Sequence, residues 1–110
     1  MSTPSSTKPK YLDQAFEQVL EEMLETFIKK YRDYGKGNIL DTREMGILFR
    51  VKDKVNRLNH LLANNKKPVN ESIEENWREI AVYAVIAMIL KRGWFEKLEL
   101  SPQLQAKQQP

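Results

Sequence analysis

Apolar residues return every three or four positions along three stretches of the chain, the period of a helix with one buried face. In the first stretch Leu12, Phe16, Val19, Leu20, Met23, Phe27 and Tyr31 line up as one stripe. Glu17, Glu21 and Glu25 follow at steps of four on another face. The helix should stop at Gly35, because glycine takes the left-handed conformation that closes many helices. A second helix starts near Asp41 or Thr42, where Asp41 and Glu44 have the spacing of a capping box. Ile47, Val51, Val55, Leu58 and Leu62 form its core stripe, and the breakers in 64-NNKKPVN-70 end it. The third begins around Asn70 or Ser72, with Ser72 and Glu75 as another capping box. It runs to Arg92, with Gly93 as its cap.

The run 80-IAVYAVIAMIL-90 is apolar all round, so this helix should be surrounded by protein. Two neighbours cannot cover it. Trp94, Phe95, Leu98 and Leu100 can supply a short closing helix, and a second subunit is the other source of cover. Eleven residues fall well short of the roughly 20 that cross a bilayer. The expected architecture is all-α: a bundle of three main helices plus a short C-terminal helix, oligomeric, with no membrane contact.

Length and composition narrow this further. The chain has 110 residues, enough for one domain and one core. Residues 10–100 form that domain. Residues 1–9 and 101–110 are Ser, Pro, Lys and Gln-rich tails, expected to be disordered. A net charge of +3 is too small to argue for nucleic acid, and no helix-turn-helix connection is present. Without cysteine there is no disulfide framework, zinc ribbon or thiol nucleophile. The N-terminus has no apolar signal region, which points to the cytoplasm.

Candidate chemistry lies in three places. Arg50, Asp53, Lys54 and Arg57 fall at i, i+3, i+4 and i+7, a single stripe flanking the apolar face of the second helix. Partly desolvated cations in a line suit a phosphate or carboxylate, since guanidinium offers a planar fork of donors. An intrahelical ladder, at about 0.2–0.5 kcal/mol per pair, is the plainer reading. Glu71, Glu75 and Glu79 share one face of the third helix and repel unless cations or a metal sit among them. The Arg/Lys stripe of the second helix is one such partner, giving an interhelical salt-bridge network, and Mg²⁺ is another, with Asp53 as a further oxygen donor. In 29-KKYRDYGKGN-38, Gly35 and Gly37 let backbone N–H groups approach a ligand, although the spacing is not that of a Walker loop. Read plainly, Gly35 caps a helix whose negative end Lys29, Lys30 and Arg32 favour. His60 has no partner motif. Trp77, Tyr83 and Trp94 are expected in the core, though any could stack on a base.

Together these residues form a pattern. Lys30, Asp33, Tyr34 and Gly35 spell K-x-x-D-Y-G. Arg50, Asp53, Lys54, Arg57, Leu58 and Leu61 spell R-x-x-D-K-x-x-R-L-x-x-L, and Glu71, Ser72, Glu74, Tyr83 and Ala84 follow. This resembles the nucleotide-modification-associated domain family of phages and bacteria, a domain of unknown function. The resemblance implies aspartates where Glu75 and Glu79 stand, and the longer side chains alter metal geometry. More distantly the pattern is similar to the MazG-like all-α nucleotide pyrophosphatases, which hold Mg²⁺ on helix carboxylates. Glu22 and Glu25 have their E-x-x-E spacing, without the E-x-x-D that should follow.

The resemblance implies a nucleotide-related, oligomeric helical bundle, in the host cytoplasm if phage-encoded. Lys30, Asp33, Tyr34, Gly35, Arg50, Asp53, Lys54 and Arg57 would bind the ligand. Glu71, Glu75 and Glu79 would hold Mg²⁺ or hydroxyls. An enzyme built this way would direct water at a phosphoanhydride. The alternatives are a non-catalytic protein that sequesters or delivers a nucleotide or nucleotide signal, and a structural bundle whose charges form internal salt bridges.

Overall fold

A computed structural model of the protein describes residues 8–64 and 73–106. Its elements are α1 (Leu12–Tyr34), α2 (Gly37–Ala63), α3 (Ile73–Lys91) and a short α4 (Pro102–Ala106). The described residues contain no strand, so the fold is all-helical, with three main helices and a short fourth. The core gathers Ile39 and Ile47 of α2, Val82, Ile86 and Leu90 of α3, and Phe95 beyond it. Each such side chain contributes about 1.5–3 kcal/mol when fully buried. Helix α3 is the centre of the molecule, packing chiefly on α2 and secondly on α1.

The expected stop of α1 is present: Gly35 takes φ 69° and donates its N–H to the Tyr31 carbonyl at 2.7 Å. Only the C-terminal half of the predicted stripe is used, however. Met23 and Phe27 pack on the core and Ile28 is buried, whereas Leu12, Phe16, Val19 and Leu20 are exposed.

Helix α2 departs more from expectation. It begins at Gly37, before Asp41, and a break at Arg43 (φ 54°, ψ −144°) divides it in two. Asp41 therefore lies inside the first piece and does not cap the helix. A non-glycine residue in such a conformation costs on the order of 1–3 kcal/mol. Thr42, just before the break, folds over Gly46, where an added Cβ would coincide with Thr42 Oγ1 and Cβ. That overlap explains a glycine within a helix. The buried face is also rotated from the predicted one. Ile47 and Leu58 are buried, Val55 and Leu62 face outward, and Arg50 and Lys54 turn half-buried toward α3. The end of α2 falls as expected, Asn64 donating its N–H and its Nδ2 to the His60 carbonyl at 3.1 and 2.8 Å.

The expected start of α3, with the Ser72–Glu75 box, lies outside the described residues. Its end is a Schellman motif: Gly93, at φ 74°, donates to the Leu90 carbonyl at 3.0 Å and Trp94 to the Ile89 carbonyl at 3.2 Å. Contrary to expectation α3 is not surrounded, since Val85 and Met88 are exposed. Trp77 and Trp94 are not core either, and Arg92 lies over the exposed Trp94 ring at 4.9 Å. Residues 94–100 form turns and not the closing helix. They nevertheless insert the buried Phe95. The short helix instead falls at α4, inside the stretch read as a tail, where Arg32 Nη2 donates to the Leu104 carbonyl at 3.0 Å.

Two substitutions test the bend in α2. Gly46→Ala should lower stability by about 1–3 kcal/mol through overpacking, despite alanine's better helix propensity. Chemical denaturation should show rescue by Thr42→Gly but not by Thr42→Ala, which keeps the offending Cβ. Arg43→Gly should raise stability by up to about 1 kcal/mol, strain relief outweighing the added unfolded-state freedom. An Arg43→Gly protein less stable than wild type would show that the position carries no strain.

Candidate functional site

Helices α1, α2 and α3 each turn one face toward a common cleft of about 240 Å³. Phe27, Lys30, Tyr31 and Tyr34 come from α1 at i, i+3, i+4 and i+7, the spacing of one helix face. Arg50 and Lys54 come from α2, Glu79, Tyr83 and Ile86 from α3. Asn38 and Ile39 follow the Gly35 turn, and Phe95 completes the floor.

Glu79 joins the three helices. One carboxylate oxygen lies 2.8 Å from Lys54 Nζ and the other 3.1 Å from Lys30 Nζ. The Lys54 and Glu79 side chains retain only 15% and 17% of their exposure. Burial pushes the Glu79 carboxyl up, but hydrogen bonds and charges from Lys54 and Lys30 outweigh it and hold the pKa below the ordinary carboxylate value. For Lys30 the balance is the mirror image: burial pulls the pKa down, and Glu79 raises it overall. Across the cleft, Arg50 sits 6.0 Å above the Tyr83 ring, a cation–π contact. Lys30, Arg50 and Lys54 against one carboxylate leave the lining with two net positive charges.

The C-terminal segment is clamped beneath the cleft. Tyr31 Oη donates to Glu99 at 2.7 Å, and Lys36 pairs with the same carboxylate at 2.8 Å. Burial first, then the Glu99 contact, pushes the Tyr31 hydroxyl up to about 12, so it remains a donor. Arg43 reaches Glu96 at 3.5 Å from the bend of α2.

The predicted site residues divide three ways. Lys30, Tyr34, Gly35, Arg50 and Lys54 share the cleft. Asp33 instead lines an adjoining polar groove of about 330 Å³, with Lys29, Glu75 and Arg78. Lys30, Tyr34 and Glu79 border both spaces. Asp53 and Arg57 join neither: they are exposed and pair with each other at 3.6 Å, as the ladder reading had it. Glu71 lies outside the described residues. Among those described, no three Asp, Glu or His side chains group so as to hold a metal ion. Glu79, proposed as a metal ligand, holds two ammonium groups.

Phe27, Tyr31 and Asn38 line the cleft without being marked by the sequence reading, and Tyr83, expected in the core, both packs against the core and lines the cleft. Their signal was the helical spacing of Phe27 and Tyr31 with Lys30 and Tyr34, and of Tyr83 with Glu79. Only knowledge of which faces meet turns that spacing into a site.

Residues 30–90 match the model of the family described as nucleotide modification associated domain 1. The chain belongs to that family. The match begins at Lys30 and takes in every cleft residue from there to Ile86, leaving Phe27 and Phe95 outside it. No curated protein and no solved structure matches the chain.

The Glu79 triad yields a pH prediction. A carboxylate whose folded pKa lies below the unfolded value adds stability above the unfolded value and loses it as pH falls through the folded one. Glu79→Gln should cost about 1–3 kcal/mol at pH 7, the scale of a hydrogen bond to a charged group. Its melting temperature should then fall less steeply than wild type below about pH 4.5. Glu96 and Glu99 are also held low and persist in both proteins, so the difference between the two pH curves isolates Glu79. Parallel curves would show that the pair makes no net contribution.

Proposed function

We propose that the protein binds a nucleotide or nucleotide-derived small molecule, with its phosphate beside Arg50 and Lys54 and its base against the tyrosines. One observation carries this: cations from α1 and α2 converge with Tyr34 and Tyr83 on a single cleft that keeps two net positive charges. Arg50 offers forked donors that suit phosphate oxygens. Tyr34 is 65% exposed and offers an open ring face at the mouth. About 240 Å³ is slightly below the roughly 300–1,000 Å³ of drug-sized pockets, which favours a mononucleotide-sized part with the remainder in the adjoining groove. The family's description, nucleotide modification associated, supports the same ligand class.

Binding suits this cleft better than hydrolysis does. A general base works best with a pKa near the working pH. Glu79 is shifted the other way and is engaged by two lysines. Those ammonium groups would also repel a divalent cation at the same oxygens. Mg²⁺ would therefore arrive with the ligand's phosphates and not sit on the glutamate row. The distant likeness to MazG-like pyrophosphatases would add a hydrolytic variant of this proposal, but Glu22 of the E-x-x-E pair contacts Arg78 at 3.5 Å, and neither Glu22 nor Glu25 lines the cleft. The role we propose is that of a protein that sequesters or delivers its nucleotide.

Calorimetric titration with a panel of nucleoside mono-, di- and triphosphates tests this. At least one should bind, with affinity falling as salt rises. Arg50→Ala should weaken binding about 10- to 100-fold, the scale of a lost charged hydrogen bond. Tyr34→Ala should weaken it several-fold, while Asp53→Ala and Arg57→Ala leave it near wild type. Incubation with Mg²⁺ followed by chromatography should return each nucleotide intact. Equal losses from Arg57→Ala and Arg50→Ala would sink the assignment of the cleft, and turnover would replace binding by catalysis.

A further inference from the structure

Helices α1 and α3 run antiparallel, with Lys30 of α1 beside Glu79 and the Leu20–Phe27 stretch beside Val82–Ile89. The first two turns of α1, Leu12 to Val19, extend beyond that contact, about 12 Å at 1.5 Å per residue. Their apolar stripe is open to solvent: Leu12 is 87% exposed, Phe16 68% and Val19 51%. Most helical stability comes from packing an apolar face, and the apolar side chains of these two turns are left exposed. Immediately beside it lies an almost wholly apolar groove of about 220 Å³, where Leu20, Met23 and Leu24 face Val82, Val85 and Ile89.

We infer that this face is the interface of a two-fold dimer, the α1 helices of two copies packing antiparallel about Leu20. Ridge and groove lie on one stripe of one helix, two turns apart. A two-fold axis near Leu20 therefore sets Phe16 of each copy into the groove of the other, the reciprocity that an isologous interface requires. The exposed apolar side chains of α1 and α3 here offer on the order of 600 Å² per copy, taking roughly 150–250 Å² for a whole aromatic side chain and somewhat less for an aliphatic one. A standard interface buries roughly 800 Å² per partner, so a modest polar rim completes it. No remaining segment of this sequence has the chemistry to cover the patch. Residues 1–7, 65–72 and 107–110 are Ser, Thr, Pro, Lys, Asn and Gln-rich, with Met1 and Val69 their only large apolar side chains. The outward face of α2 is a poorer interface, because Lys52, Asn56 and Asn59 interrupt its apolar residues.

Sedimentation velocity and light scattering on the full chain test this, with a mass of twice 12.9 kDa expected. Phe16→Glu combined with Leu20→Glu should give a monomer with unchanged helical circular dichroism, since neither side chain is in the core. Because the chain has no cysteine, single thiols report geometry. Leu20→Cys, near the axis and within the roughly 7 Å that a disulfide can bridge, should cross-link when oxidised by diamide. Asn56→Cys should not. A monomeric wild type would overturn the proposal, leaving the face to a different protein. So would a dimer that survives the double glutamate variant, or one that cross-links through residue 56 and not 20.

Discussion

One carboxylate shared by two lysines holds the cleft together. Glu79 stands on α3, Lys30 on α1 and Lys54 on α2, so a single side chain connects every main helix. Neither lysine could sit at this depth alone, because an isolated ammonium loses far more hydration than packing returns. Two of them beside one another would also repel. The carboxylate relieves both problems, and its depressed pKa records how strongly the two cations favour its charged form. Such a triad adds less to net stability than its short distances suggest, since desolvation offsets much of the attraction. Its stronger effect is on register: only one rotation of each helix brings these three groups together.

The rest of the architecture follows from that register. Turning Lys54 inward carries Arg50 with it, one helical turn away, and swings Val55 and Leu62 out to solvent. The α1–α2 connection must then bring Ile39 into the core and Asn38 to the cleft within a few residues of Gly35. Arg43 breaks the helix and Gly46 makes room for Thr42 so that both can happen. The floor comes from Phe95, whose segment is tied back through Tyr31, Lys36 and Glu99. Strain at the bend and charge in the cleft are thus two consequences of one packing arrangement.

How much of this the sequence reveals depends on the range of the interaction. Helix number, the Gly35 and Gly93 stops and the end of α2 are legible because local backbone chemistry decides them. The rotation of α2 is not. Its apolar stripe predicts Val55 and Leu62 inside, and that reading fails because an ion pair with a residue some 25 positions away outranks periodicity. Of the i, i+3, i+4, i+7 stripe, Arg50 and Lys54 line the cleft. The stripe cannot separate them from Asp53 and Arg57, which lie only about 20–100° further round the same helix. The glutamate row leaves both a metal and the Arg/Lys stripe open as partners of Glu79, and the structure pairs it with Lys54 of that stripe and with Lys30 of α1. Its two lysines come from other helices and change its chemistry. The apolar excess of α3 is a similar case: the sequence asks for complete cover, and the single chain leaves one face open.

That same charge arrangement separates holding a ligand from transforming it. In the proposed role, a phosphate entering the cleft would meet two lysines already shared with one anion, and Arg50 beside them. It would compete with Glu79 for Lys30 and Lys54 while taking Arg50 outright. The lining is preformed, so little ordering entropy is spent on assembling it. Catalysis would require a group whose proton affinity lies near the working pH, and an anion locked between two ammonium groups is far from that condition. The feature that gives the cleft its charge therefore also favours the ionised form of its one carboxylate, the half-buried Glu79.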